Sequence, residues 1–380
     1  MLKGILKKTF PIVFLKNIYL YLNIFKIKFV DIFIYRKIEV HPSLFLLKTI
    51  DKPFESEKFK ISNSANLYDK YLLKWNSWEH DVFVLNFDEP VFIDPNYGWA
   101  IKYPNQLLYN SLSYSYVNYL PKPSILKLVK NKNEALQLEK CISIRDTGEE
   151  NYFHFYNEVI PKLFQLEEYG LCLSEIPIVI SEKLFTKHYF QFFLINTDLF
   201  KGFNWVIQGT QYIKSNQTYF CKPLTHQKKY LDKFVKATEK FFEVRDVNRK
   251  IFLTRKKNRL RYIENIDEIE LEISKFGFEI IDADDITIEK QITIFSGVRY
   301  LIGIHGAGMI NMIFRNNKPL TIIEIFPPVT TDYLPYHYIM LSKLFGFDYS
   351  YIVGKKEVNK FSGGFRVDIL ELNEKIRKIL

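Results

Sequence analysis

Between Asn151 and Pro161 the run Asn-Tyr-Phe-His-Phe-Tyr-Asn-Glu-Val-Ile-Pro sets Asn151, His154 and Glu158 at steps of three and four residues. On a helix those steps bring the three side chains to one face. An imidazole and a carboxylate held together can take a proton from a hydroxyl, one serving as base and the other orienting or charging it. The same residues also suit a capping and packing cluster, for which Asn151 and the helix-disrupting Pro161 are ordinary material.

A second group is spread over the C-terminal third. An apolar run, 300–304, leads into His305-Gly306-Ala307-Gly308 and then into 309–314, which reads as a helix. A strand, a glycine turn and a helix start present free backbone N–H groups and the positive end of a helix dipole, where phosphate binds. Gly306 and Gly308 would let a diphosphate approach the backbone closely, although glycine turns also serve packing alone. Glu324 interrupts the apolar run 322–326 near its C-terminal end, where parallel sheets hold ligands. A carboxylate there suits ribose hydroxyls; the plainer use is an acid at the sheet edge.

Residues 249–261 carry seven basic side chains and no acid. Arg255, first after a strand, and Arg259 and Arg261 suit a diphosphate leaving group, whereas Lys256 and Lys257 read as a solvated face. Asn311 is expected to pack or cap. Asp282, Asp284 and Asp285 form an Asp-x-Asp pattern of the kind that holds divalent ions. Their position between a strand and a helix starting near Thr287 predicts N-terminal capping instead, so no metal site and no cofactor is expected.

The elements that must position these residues alternate. Runs 82–85, 90–93 and 99–103 read as strands between turns, 142–144 and 176–180 as strands, and 151–169 and 183–195 as helices. A long helix is expected over 226–244. Strands at 250–253, 278–281, 300–304, 321–326 and 348–353 then alternate with helices at 266–276, 288–296, 309–314, 332–345 and 368–380, which predicts a parallel sheet with crossover helices.

With 380 residues the chain exceeds the usual span of one core, and two domains are expected. The divisions are a basic amphipathic segment over 1–50, a domain over 51–225, a ligand-binding domain over 226–345, and a strand and helix over 346–380 that close that domain or cross back. Residues 1–40 carry eight Lys or Arg against two acids, and no apolar stretch there reaches the roughly 20 residues a spanning helix needs. That composition fits an anionic membrane surface on the inner, cytoplasmic face, and equally a helix docked on its own domain. Three widely spaced cysteines fit a reducing compartment. The net charge of +10 comes without a nucleic-acid motif, and nucleic acid is not expected as a partner.

Taken together and in order over about residues 141–353, these pieces resemble glycosyltransferase family 61, which includes plant xylan, animal O-linked and bacterial cell-surface polysaccharide enzymes. The matching residues are the Asn151 to Glu158 run with Pro161, Arg249 to Arg255 with Arg259, Arg261 and Asn265, Gln291 before Phe295-Ser296, Gly303 to Asn311, and Ile323-Glu-Ile-Phe-Pro327. His-Gly-Ala-Gly with its downstream Glu324 is the most specific part; relatives often carry Asp where this chain has Glu158.

The resemblance implies a GT-B architecture of two Rossmann-like domains facing a cleft. It also implies an inverting, metal-independent transfer from a nucleotide sugar to a saccharide acceptor, free or lipid-linked, as in capsule, lipopolysaccharide or other surface-glycan synthesis. In that frame Glu158 is the base with His154 as partner or substitute, Arg255, Arg259, Arg261 and His305 to Gly308 hold the diphosphate, and Glu324 holds the ribose. A non-catalytic, membrane-docked carbohydrate- or nucleotide-binding protein of the same fold is the alternative. Residues 1–140 match weakly, so acceptor choice does not carry over.

Overall fold

The computed structural model describes residues 21, 22, 25, 34–38, 83–112, 120–222, 226–242, 248–256, 261–328, 337–355 and 364–380. Most of the basic N-terminal segment, and Arg259, lie outside them. Among the described residues no helix is long and apolar enough to cross a membrane. The described residues divide into two compact units, one ending at Lys222 and the other running from His226 to Leu380.

Unit 1 is built on a mixed sheet. Its strands are β1 (Arg36–Ile38), β2 (Phe83–Phe87), β3 (Val91–Ile93), β4 (Ala100–Lys102), β5 (Gln106–Leu108), β6 (Leu136–Ser143), β7 (Ile178–Ser181), β8 (Trp205–Gln208) and β9 (Ile213–Lys222). They run in the order β1-β5-β4-β3-β9-β6-β7-β8, with β2 also on β9. The run β9-β6-β7-β8 is parallel, whereas β3-β4-β5 form an antiparallel meander and β3 and β2 lie antiparallel to β9. Unit 1 therefore departs from the all-parallel sheet expected of a Rossmann-like domain. The reason lies in short turns. The Asp94 carboxylate accepts the N–H groups of Asn96 and Tyr97 at 3.1 and 2.8 Å, which bends the chain within a few residues and leaves no room for a crossover helix.

The parallel part has the crossover that matters for chemistry. Between β6 and β7 the chain makes helix α1, residues 152–168, composed of Tyr152–His154, a wide π turn Phe155–Val159, and Ile160–Glu168. Its buried face carries Phe155, Tyr156, Val159, Ile160, Leu163 and Leu166. At the sheet's other edge β1 pairs with β5, and Tyr35 is buried with its hydroxyl donating to the Pro123 carbonyl at 2.6 Å. The C-terminal end of the described basic stretch is thus part of unit 1.

Unit 2 follows the predicted alternation closely. It contains β10 (Arg249–Leu253), α2 (Ile266–Lys275), β11 (Glu279–Ile281), α3 (Ile288–Ser296), β12 (Val298–Ile304), a 3₁₀ helix (Ala307–Arg315), β13 (Thr321–Phe326), α4 (His337–Phe345), β14 (Asp348–Val353) and α5 (Ile369–Ile379). All five strands are parallel, in the order β11-β10-β12-β13-β14. One face of the sheet, with Phe252, Ile302, Ile304, Ile323, Ile325 and Ile352, shares a core with Ile269 and Ile273 of α2 and Leu372 and Ile376 of α5. Burial of each such side chain contributes about 1.5–3 kcal/mol. The strand order reverses between β10 and β12, and ligands of doubly wound sheets bind at the carboxyl ends of strands flanking that reversal.

Candidate functional site

The loops leaving β10 and β12, on either side of the reversal in unit 2, carry the residues singled out in the sequence. Arg255 follows β10 by two positions, and His305-Gly306 follows β12 directly. The Arg255 guanidinium lies against the Cα of Gly306 so closely that a Cβ there would overlap it. Gly306 has extended backbone, so what a side chain there would disturb is the seat of the Arg255 guanidinium and not the φ angle. At Gly303 the Met309 Sδ occupies the space a Cβ would need, so a side chain there would have to move Met309. Gly308 is less constrained: a Cβ there would make ordinary contacts with Leu253 and Ala283.

Ala307 and Gly308 open the 3₁₀ helix, whose first N–H groups face the turn without a side-chain cap. Tyr338 of α4, itself buried, donates to the Gly306 carbonyl at 2.5 Å and fixes the turn from its far side.

His305 is held from several directions. Its ring stacks on Phe326 with centroids 5.2 Å apart and meets the edge of Tyr338 at 5.7 Å. Nδ1 faces the Glu324 Oε1 at 2.5 Å, which leaves Nε2 without a partner among the described residues. Glu324 is 0% exposed, and its second oxygen accepts from the Tyr349 hydroxyl at 2.5 Å. Where the sequence suggested a ribose ligand, the structure has a carboxylate whose two oxygens both meet protein groups.

Arg261 is half-buried with a left-handed backbone (φ 63°). Burial lowers its pKa, opposed by the nearby Tyr338 and Glu324. Asn311 is fully buried and donates to the Gln291 side chain at 2.7 Å. Asp282 accepts the Asp284 N–H at 3.1 Å as a turn cap, and Asp285 pairs with Lys256. Among the described residues no cluster of three or more His, Cys, Asp or Glu side chains could hold a metal ion.

In unit 1 the chain leaves β6 through residues 144–150 and enters α1, where Asn151 caps the helix by accepting the Phe153 N–H at 2.9 Å. His154 and Glu158 meet as predicted, Nδ1 to Oε1 at 2.7 Å, with side chains 24% and 18% exposed. The other Glu158 oxygen has no hydrogen-bond partner among the described residues. Pro161 accounts for the wide turn on which the pair sits. Lacking an N–H and crowding the carbonyl four residues back, it cannot continue a regular α-helix, and Ile160 donates five residues back to Phe155 instead. The neighbouring carboxylate of Glu158, with Asp146 and Glu150 further off, overrides desolvation and raises the pKa of His154.

Beneath this pair is a buried charge cluster that periodicity could not reveal. Lys162, one turn beyond Glu158, donates to Asp146 at 2.9 Å, and Arg145 donates to Glu149 at 2.9 Å, all four side chains being 1–4% exposed. Arg145 also reaches the Gln208 side chain and the Pro95 carbonyl. The only available signal was four charges flanking a strand end and a helix.

Residues 152–323 match the family model described as Glycosyltransferase 61. This part of the chain is similar to glycosyltransferase family 61. No curated protein matches it. The matched stretch runs from the start of α1 into β13, taking in His154, Glu158, Arg255 and the glycine turn. Glu324, one residue beyond it, and Tyr338 are tied to the matched part by hydrogen bonds to His305 and Gly306, and Tyr349 is bonded to Glu324.

Proposed function

We propose that this protein is an inverting, nucleotide-sugar-dependent glycosyltransferase of GT-B type, in which unit 2 binds the donor and unit 1 supplies the base and handles a saccharide acceptor, free or lipid-linked. The observation that carries the donor assignment is the packing of the Arg255 guanidinium on Gly306 at the strand reversal of a doubly wound sheet. A cation, His305 and uncapped helical N–H groups converge there, which is the chemistry a diphosphate requires. Arg261, and Arg259 outside the described residues, add positive charge, so no metal is needed to neutralise the leaving group.

In the proposed reaction an acceptor hydroxyl attacks the anomeric carbon from the side opposite the diphosphate. The new C–O bond forms as the bond to the diphosphate oxygen breaks, and its electron pair leaves with the nucleotide. Glu158 takes the hydroxyl proton on its unpartnered oxygen, with His154 fixing the other oxygen. The basic N-terminal stretch would hold the enzyme on an anionic inner membrane face, where surface-polysaccharide acceptors are built. Its described residues Tyr21, Leu22 and Phe25 are helical and 62–73% exposed, as membrane-contacting side chains would be.

A screen of nucleotide sugars for donor hydrolysis, with the anomeric product followed by NMR in chelator-treated buffer, tests this function. One nucleotide series should be cleaved with inverted configuration and no added metal. Retention, or strict dependence on a divalent ion, would overturn the mechanism.

A further inference from the structure

Glu324 and Tyr349 sit on neighbouring strands in a relation that the donor-binding role alone does not explain. In the sheet register Glu324 pairs with Tyr351 and Ile322 with Tyr349, so Tyr349 is the diagonal neighbour of Glu324 on one face. On the other side Glu324 pairs with Gly303, and His305 lies two residues further along the same face. The hydrogen bonds follow that geometry: Tyr349 hydroxyl to Glu324 Oε2 at 2.5 Å, and His305 Nδ1 to Glu324 Oε1 at 2.5 Å.

A fully buried carboxylate is costly unless paired and hydrogen-bonded. This one spends both oxygens on protein groups, has Arg261 as a further cationic neighbour, and has no exposed surface to offer a sugar. What it does offer is orientation and a counter-charge for the ring above it. With Nδ1 committed to Glu324 and the ring clamped by Phe326 and Tyr338, Nε2 is the one ring nitrogen free to reach a ligand.

Resting on the donor-binding role proposed for unit 2, we infer that Tyr349 and Glu324 are positioning residues that hold His305 as a phosphate ligand, and that Glu324 does not bind the ribose. The chain Tyr349–Glu324–His305 fixes the imidazole so that Nε2–H donates to a diphosphate oxygen, while the carboxylate balances the imidazolium charge. Tyr338 assists by fixing the Gly306 carbonyl.

The two roles for Glu324 separate with a ligand that has no ribose. Binding of inorganic pyrophosphate and of the tightest nucleoside diphosphate is measured by calorimetry for the full chain and for Glu324→Gln, His305→Ala, the double variant, Tyr349→Phe and Arg255→Ala. Glu324→Gln is isosteric, and its melting temperature and circular dichroism report whether the fold survives. The positioning role predicts that Glu324→Gln weakens pyrophosphate and nucleotide alike by about tenfold, the worth of one charge-assisted hydrogen bond. Tyr349→Phe should weaken both about threefold, and the Glu324→Gln effect should vanish in the His305→Ala background.

Unchanged pyrophosphate affinity with weakened nucleotide affinity in Glu324→Gln would overturn the positioning role and restore the ribose contact, while leaving the donor site standing if Arg255→Ala still loses both ligands. A parent chain that binds neither ligand would overturn the donor site and the positioning role together. Should Glu324→Gln unfold, Tyr349→Phe alone decides: equal pyrophosphate affinity to the parent overturns the role.

Discussion

The described residues include two histidine–glutamate pairs with the same atomic contact, Nδ1 to a carboxylate oxygen, in two different settings. In unit 1 both residues come from one helix, the pair is partly exposed, and the second Glu158 oxygen has no partner among the described residues. In unit 2 the pair joins a strand to the turn after its neighbour, Glu324 is fully buried, and Tyr349 takes its second oxygen. What differs is the free valence. The first arrangement leaves a carboxylate oxygen open and suits proton acceptance; the second leaves an imidazole nitrogen open and suits holding an anion. Sequence spacing alone separates the pairs poorly, because neither exposure nor the fate of the second oxygen is written in it.

The comparison can be broken most forcefully from below the first pair. Lys162→Met leaves Asp146 buried without its cation, and unit 1 should lose about 3–5 kcal/mol of unfolding free energy, read by denaturant titration. A loss within experimental error would mean that the buried charges do not anchor α1. Next in size, Arg255→Ala should weaken nucleoside-diphosphate binding by roughly ten- to a hundredfold, the worth of a charge-assisted contact. Full retained affinity would remove Arg255 from the donor site. Gly306→Ala should act in the same direction by displacing the Arg255 guanidinium, whereas Gly308→Ala should be much milder, since a Cβ there meets only Leu253 and Ala283 at ordinary contact distances. Equal effects at the two glycines would contradict the close packing seen at Gly306.

The smallest effect is electrostatic. Because the pKa of His154 is raised in the folded chain, its pairing contributes stability that is fully present below the ordinary value of 6.5 and is lost as pH rises through the folded-state value. Glu158→Gln should lower the His154 midpoint in an NMR titration, since Glu158 is the main influence raising it. A midpoint that stays put would show that Asp146 and Glu150 dominate.

Unit 2 was legible in the sequence because its buried strands are continuous apolar runs. The expected 321–326, 348–353 and 288–296 coincide with β13, β14 and α3. Unit 1 was legible in part. Strand β9 is ten residues long and central, yet its buried positions include Ser215 and Thr218 and its others Lys214, Asn216 and Gln217, so hydrophobic periodicity is diluted. The expected helix over 309–314 is a 3₁₀ helix starting at Ala307.

At the sites, His154 with Glu158 and Arg255 with Gly306 could be read from spacing and strand ends. Tyr338 and Tyr349 could not, because each acts from a later element whose register only folding reveals. The surroundings of Glu324 were hidden for a related reason. A carboxylate near the end of a parallel strand invites a ligand, and only the structure shows that His305 and Tyr349 reach it first.

The division of labour between the two pairs is tested most directly by Glu158→Gln, assayed for turnover at saturating donor and for nucleoside-diphosphate affinity on the same preparation. An amide keeps the shape but cannot accept the proton, so turnover should fall by about a hundredfold or more while affinity stays within about twofold of the parent. Near-parental turnover, or lost nucleotide affinity with turnover at saturation intact, would contradict the assignment of Glu158 as base.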